Sequence, residues 1–275
     1  MRYALIGCEV LFRELCAAAA RATAVIDLIM LPQGLHCVPA DLRARAQREI
    51  DRLETGGPDY VPYEDVEIAT PPRYDAILLG YALCSNGVVG LTSRRIPLVI
   101  PRGHDCVTLL LGSKEKYRDY FDTHRGIYWY SSGWIERTLQ PSRERWELTR
   151  RHYLDKYGED NADYLMEMEQ SWFKEYQWAT YINWNQATAE RDRCFTRECA
   201  EFLGWSYDEI DGDPRLLYDF CDGVWDDERF QIVSPGECLE PSHDPTIVKS
   251  CAGCAGHGAA QMEQCDVPAA NALRR

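Results

Sequence analysis

Leu79-Gly80-Tyr81-Ala82-Leu83-Cys84-Ser85-Asn86-Gly87 and, shortly after it, Leu98-Val99-Ile100-Pro101-Arg102-Gly103-His104-Asp105-Cys106 decide the reading of this chain. Each begins on a short apolar run, residues 76–80 and 97–100, that reads as a buried strand and stops at a turn rich in Gly, Pro or Asn. Each turn then delivers a cysteine. The chain opens the same way, with Tyr3-Ala4-Leu5-Ile6-Gly7 running into Cys8. Ligands of open α/β sheets collect in the crevice outside the carboxyl ends of the strands. Cys8, Cys84 and Cys106 are therefore expected to converge.

Working outward, residues 2–7 and 24–31 read as strands, with an Ala-rich helix over 9–21 between them. Residues 39–55 read as a second helix, with Leu42, Ala46, Ile50 and Leu53 at helical spacing. Residues 59–72 carry several prolines and read as loop. Asp105 and Ser113 are placed as N-caps of the next two helices, and residues 126–130 as a short strand. Such alternation predicts a parallel sheet with helices on both faces.

Residues 134–174 are charged and aromatic, with Trp146, Tyr153, Tyr157, Tyr164, Met168 and Trp172 at roughly helical spacing, a stripe expected to be core. A second strand and helix series follows over 177–233. The expected organisation is two α/β lobes joined by a long helical segment. The N-terminal lobe with the cysteine crevice covers 1–133, the helical connector 134–176, the second lobe 177–239, and a flexible, Cys-containing tail 240–275.

A chain of 275 residues can bury a large core. No stretch approaches a membrane span, the start lacks a secretory pattern, and a cytoplasmic protein is expected. The net charge of −14 argues against a nucleic-acid partner, because phosphate neutralisation needs clustered Lys and Arg. Twelve cysteines are many for a reducing compartment, which favours metal or sulfur chemistry over a disulfide framework. Cys16, Cys37, Cys194, Cys199 and Cys221 lie in contexts where a thiol serves as a small hydrophobe.

Cys8, Cys84 and Cys106 are each expected at a helix N-terminus, where unpaired N–H groups favour the thiolate. Three thiolates suit a zinc ion or an iron–sulfur cluster with one position open to substrate, against the plain alternative of small residues in tight turns. His104 is expected as a fourth ligand or as general acid/base, with Asp105 orienting it or capping the helix, and Arg102 as the partner of a carboxylate or phosphate. Asn86, Gly87 and His36 are the remaining candidates for contact with a bound group, against a tight turn for the first two and a surface position for His36. Cys251-Ala252-Gly253-Cys254, with His257, Cys265 and Cys238, is a further candidate metal site. Phosphate-loop, dinucleotide and serine-elbow patterns are absent.

Taken in order, Ile6-Gly7-Cys8, Leu35-His36, Leu79 to Gly87, Pro97 to Cys106, Leu110-Leu111-Gly112-Ser113, Ser132-Gly133-Trp134, Gly204-Trp205, Gly212-Asp213, Gly223-Val224-Trp225 and Pro235-Gly236 resemble the family labelled domain of unknown function 1638. The resemblance spans about residues 2 to 240. It implies a cytoplasmic protein, carries the family's cysteines onto Cys8, Cys84 and Cys106, and points to corrinoid-dependent methyltransferase systems as neighbours of some members. Enzymes that hold a four-iron cluster on three cysteines, such as quinolinate synthase and thiouracil desulfidase, are the analogy it suggests. The expected function is thus a metal- or iron–sulfur-dependent enzyme of non-redox type (lyase, hydrolase or sulfur transfer) acting on a small anionic molecule, with a [4Fe–4S] cluster as cofactor or zinc in its place. The alternative is an accessory or cofactor-binding protein for a corrinoid methyltransferase.

Overall fold

The computed structural model describes residues 1–55 and 73–252. Its elements are, in order, β1 (Arg2–Cys8), α1 (Phe12–Arg21), β2 (Val25–Leu31), α2 (Pro39–Thr55), β3 (Ala76–Gly80), β4 (Leu98–Pro101), α3 (Cys106–Leu111), α4 (Lys114–Thr123) and β5 (Ile127–Tyr130). There follow α5 (Ser132–Arg137), α6 (Arg143–Tyr157), α7 (Glu159–Gln170), β6 (Trp178–Asn183), α8 (Ala189–Leu203), β7 (Ser206–Asp211), α9 (Arg215–Asp222), β8 (Phe230–Val233), β9 (Glu237–Pro241) and β10 (Val248–Ala252).

The strands of the quoted stretches are apolar at every position, so both faces of their sheet must be covered. They are. Tyr3, Leu5, Ala76, Leu78 and Val99 point to one face, into a core with α1, α3 and α9. Their neighbours Ala4, Ile6, Ile77, Leu79, Leu98 and Ile100 point to the other, against α2 and the β9–β10 hairpin. The sheet runs β2-β1-β3-β4-β8; its first four strands are parallel, and β8 is antiparallel to β4. The expected parallel sheet with helices on both faces is what forms.

A second, wholly parallel sheet runs β5-β6-β7. The expected domain limits do not follow the two sheets. β5, placed in the first lobe, pairs with β6, while β8, placed in the second, pairs with β4. Leu216, Leu217 and Phe220 of α9 lie in the core of the large sheet. Hydrogen bonding across strand edges, not order along the chain, decides membership.

The helical connector is the crossover between the parallel strands β5 and β6. Its aromatic stripe is core only at its end, where Trp172 packs against the core of the small sheet; Tyr157, Tyr164 and Met168 are exposed, and the two helices bury Thr149, Ala162 and Met166 instead. α6 and α7 pack chiefly on each other, so each buries only a narrow seam. The part of the expected tail within the described residues is also ordered, with β9 and β10 forming an antiparallel pair that buries Leu239, Ile247 and Val248. Residues 59–72, Cys254, His257 and Cys265 lie outside the described residues. Among the described residues no helix is long and apolar enough to cross a membrane.

Candidate functional site

β1, β3 and β4 are neighbours in the sheet and point the same way, so their carboxyl ends open on one edge. Cys8 is the last residue of β1, Cys84 stands in the loop that leaves β3, and Cys106 opens α3 directly after the loop that leaves β4. All three thiols are half-buried. Cys8 and Cys84 pack against the cores on both faces of the sheet, Cys106 against the one under α1 and α3.

The three also sense one another. Burial pushes the Cys8 thiol up to about 11, only partly offset by a hydrogen bond from the backbone at Val10. Burial, with Cys8 and Asp105 nearby, pushes Cys84 up to about 12. Cys106 is raised well above the ordinary thiol value by burial, then by Asp105, Cys84 and Cys8. The expected thiolates of helix N-termini are therefore not what the folded chain presents. Cys106 does open α3, but Cys84 precedes no helix, and three half-buried thiols beside acids stay protonated unless a positive group joins them.

Cys84, Ser85 and Asn86 take successive positive φ values of 46°, 56° and 63°. Three such non-glycine residues cost about 1 kcal/mol or more each. The turn persists because its surroundings dictate it. Leu83 and Cys84 donate their N–H groups to the carbonyls of Gly103 and His104 at 2.9 and 3.0 Å, continuing the β3–β4 pairing into the two cysteine loops. Gly87 N–H closes the turn on the Cys84 carbonyl at 3.0 Å. A Cβ on Gly87 would lie 2.5 Å from Leu42 Cδ2, so this glycine serves contact with α2.

Two buried donors flank the thiols: Tyr81 Oη–H, which lacks a hydrogen-bond acceptor, and Trp134 Nε1–H, whose only polar neighbour of note among the described residues is the Cys106 sulfur. Tyr81 is held in the un-ionised form by burial and by the proximity of Cys8, Cys84 and Glu9. The indole N–H of Trp134 bears on Cys106, where it favours the thiolate. Trp134 reaches the site because a Cβ on Gly133 would overlap the Val10 carbonyl oxygen, and only glycine lets α5 close on the turn after Cys8. Neither residue stood among the site candidates read from sequence, although Tyr81 and Trp134 both lie in stretches that mark the resemblance.

The other candidates take different places. Arg102 donates from Nε to the carbonyls of Asp227 and Phe230 at 2.8 and 3.1 Å, from Nη1 to those of Thr246 (3.0 Å) and Val248, and from Nη2 to Gln231 Oε1 at 2.8 Å. It tethers β4 to β8 and β10 and is not free to hold an anion. Asp105 does cap α3, accepting from Thr108 N–H at 3.2 Å, and takes a hydrogen bond from Tyr117 Oη at 3.1 Å; it does not orient His104. His104 is exposed at the rim of the crevice. His36 is half-buried, and burial alone lowers its pKa. The Asn86 carbonyl accepts from Arg43 Nη2 at 3.3 Å. Of the cysteines set aside as small hydrophobes, Cys199 and Cys221 are buried, while Cys37 and Cys194 are exposed.

One further group went unread in the sequence. Glu14 of α1 is buried, its carboxyl pushed up to about 7 by burial, and Oε1 accepts from Gln186 Nε2 at 2.7 Å while Oε2 is unpaired. Gln186 follows β6, and Trp184 beside it donates from Nε1 to the Leu110 carbonyl at 2.9 Å. The carboxyl end of the small sheet thus closes against α1 and α3, next to the cysteine crevice.

A family model described as a protein of unknown function, DUF1638, matches residues 30–221. The chain belongs to that family. The matched span contains Cys84, Cys106, Tyr81 and Trp134, with Cys8 and the β9–β10 hairpin outside it. No curated protein and no solved structure matches the chain.

Proposed function

We propose that the chain is a metal- or iron–sulfur-dependent enzyme of non-redox type, working on a small molecule at Cys8, Cys84 and Cys106. The observation that carries this reading is the buried Tyr81 Oη–H, which has no hydrogen-bond partner, with the Trp134 indole N–H bearing on Cys106, against three thiols that no basic side chain among the described residues neutralises. An unpaired buried donor costs about 1–3 kcal/mol, and a metal-held thiolate or a bound anion would satisfy it.

The spacing of the sulfurs favours a cluster over a single ion. Tetrahedral zinc at about 2.3 Å from each sulfur brings thiolates to within roughly 3.7 Å of one another. The three crevice sulfurs do not all lie within 4.8 Å of one another, whereas Cys238, Glu240 and Cys251 do. A four-iron cluster spreads its thiolates over separate irons and suits the wider set.

Bound there, the cluster would supply a Lewis-acidic iron without a protein ligand. The chain's own residues do the rest. Tyr81 and Trp134 donate to sulfur or to an anionic atom at the floor of the crevice, and the apolar walls exclude water. His104 at the rim exchanges protons between solvent and the bound molecule. Arg102 is assigned to the scaffold and Asp105 to the cap of α3.

The test is purification without oxygen, followed by the absorption spectrum and the iron, zinc and sulfide content of the wild type beside a Cys8→Ser, Cys84→Ser, Cys106→Ser chain. Broad absorption near ~400 nm with iron and sulfide, lost in the variant but kept in Cys251→Ser, is the expected result. Wild-type protein free of metal from anaerobic cells would overturn the reading.

A further inference from the structure

A second sulfur group lies on the β9–β10 hairpin, away from the crevice, and it has the geometry that the crevice lacks. Cys238 and Cys251 are directly opposed across the antiparallel pair, and their sulfurs are 3.4 Å apart. Glu240, one pleat along on the same face, accepts a hydrogen bond from the Cys251 thiol at Oε1 over 2.9 Å. Cys238 is buried, and Glu240 and Cys251 are half-buried. All three ligand atoms fall within 4.8 Å of one another, which among the described residues is true of no other set of three or more His, Cys, Asp or Glu side chains.

We infer that this hairpin carries a structural site for a zinc-type divalent ion, ligated by Cys238 Sγ, Cys251 Sγ and a Glu240 carboxylate oxygen. Two thiolates and a carboxylate suit a borderline-soft ion, and the sulfur separation is close to the roughly 3.7 Å that tetrahedral zinc imposes.

The position gives the ion a task. Leu239 exchanges backbone hydrogen bonds with the loop that leaves Cys84, through Gly90 N–H to the Leu239 carbonyl at 2.8 Å and Leu239 N–H to the Leu91 carbonyl at 3.0 Å. Arg102, in the loop before Cys106, holds the carbonyls of Val248 at the start of β10 and of Thr246 just before it. An ion clamping β9 to β10 braces both cysteine loops of the crevice from outside. The inference stands whether or not the crevice holds a cluster.

The test uses the full chain, reduced and stripped of metal by a chelator, titrated with Co²⁺ and then Zn²⁺. The wild type, and the Cys8→Ser, Cys84→Ser, Cys106→Ser chain if it folds, should both show thiolate-to-cobalt charge-transfer absorption and tetrahedral d–d bands that one equivalent of Zn²⁺ bleaches. Cys251→Ser should lose the charge-transfer intensity and at least about 100-fold in zinc affinity, and Glu240→Gln about 10-fold. Circular dichroism checks that both hairpin variants remain folded. A cobalt spectrum that Cys251→Ser leaves unchanged would overturn the inference, as would a Cys238–Cys251 disulfide found by mass spectrometry in protein purified without oxygen.

Discussion

The crevice and the hairpin gather sulfur in opposite ways. Cys238 and Cys251 meet because antiparallel register sets them face to face, which makes a tight, local group. Cys8, Cys84 and Cys106 come from far apart in the chain and meet only because β1, β3 and β4 are parallel neighbours. Their spacing is wider, since adjacent strands stand about 4.8 Å apart and the three cysteines come from three strands. Register places the hairpin sulfurs face to face, whereas parallel topology lines the crevice sulfurs along one sheet edge. The two groups differ in geometry, and they are physically joined through Arg102.

That joint is where the comparison breaks with the largest effect. Replacing Arg102 by Ala removes the donors to Asp227, Phe230, Thr246 and Val248 and frees the hairpin from β4. The expected loss is about 4 kcal/mol, given the typical worth of hydrogen bonds to a charged donor and the carbonyls left unpaired. Urea unfolding measures it. Unchanged stability would return Arg102 to the role of anion ligand read from its sequence context.

The walls of the crevice are tested by Glu14. Its folded-state carboxyl titrates near 7 against an ordinary value of 4.5. The folded chain therefore binds a proton that the unfolded chain has released, and stability falls as pH rises from about 4.5 to about 7, then levels. The span corresponds to on the order of 3 kcal/mol. Glu14→Gln should flatten this part of the pH profile and unfold at higher urea than the wild type above pH 7. A variant whose profile keeps the wild-type slope would show that α1 does not seal the crevice against water.

The smallest effect concerns the strained turn. Ser85 is exposed with φ 56°, so Ser85→Gly should relieve left-handed strain and raise stability by about 0.5 kcal/mol, net of the added unfolded-chain entropy. Loss of stability in thermal unfolding would mean that the Ser85 side chain, rather than the pairing of Leu83 and Cys84 with the next loop, holds the turn.

Much of the architecture was legible because it is local. Apolar runs gave the strands; the periodic Leu42, Ala46, Ile50 and Leu53 gave α2; and Asp105 and Ser113 cap the helices they precede, accepting from Thr108 and Lys116 N–H. The candidate site was legible only in part. A polar run after a buried strand made Arg102 look like a ligand, and nothing local reveals that its guanidinium is taken up by carbonyls more than a hundred residues further along. The aromatic stripe of 146–172 has helical spacing, but spacing does not say whether a helix faces a sheet or another helix. Tyr81 and Trp134 escaped because what a buried donor faces is a property of the surroundings, not of the residue.

By itself, then, the sequence determined the apolar strands, the turns that end them and the cysteine each turn carries, because strand, cap and turn preferences act over a few residues. Only the tertiary structure decided which strands lie side by side, that β5 joins the small sheet and β8 the large one, and that Cys238 faces Cys251. Those outcomes depend on hydrogen bonds and burial between segments distant in the chain. Chain closure and packing select among them, and no short window of sequence contains that choice.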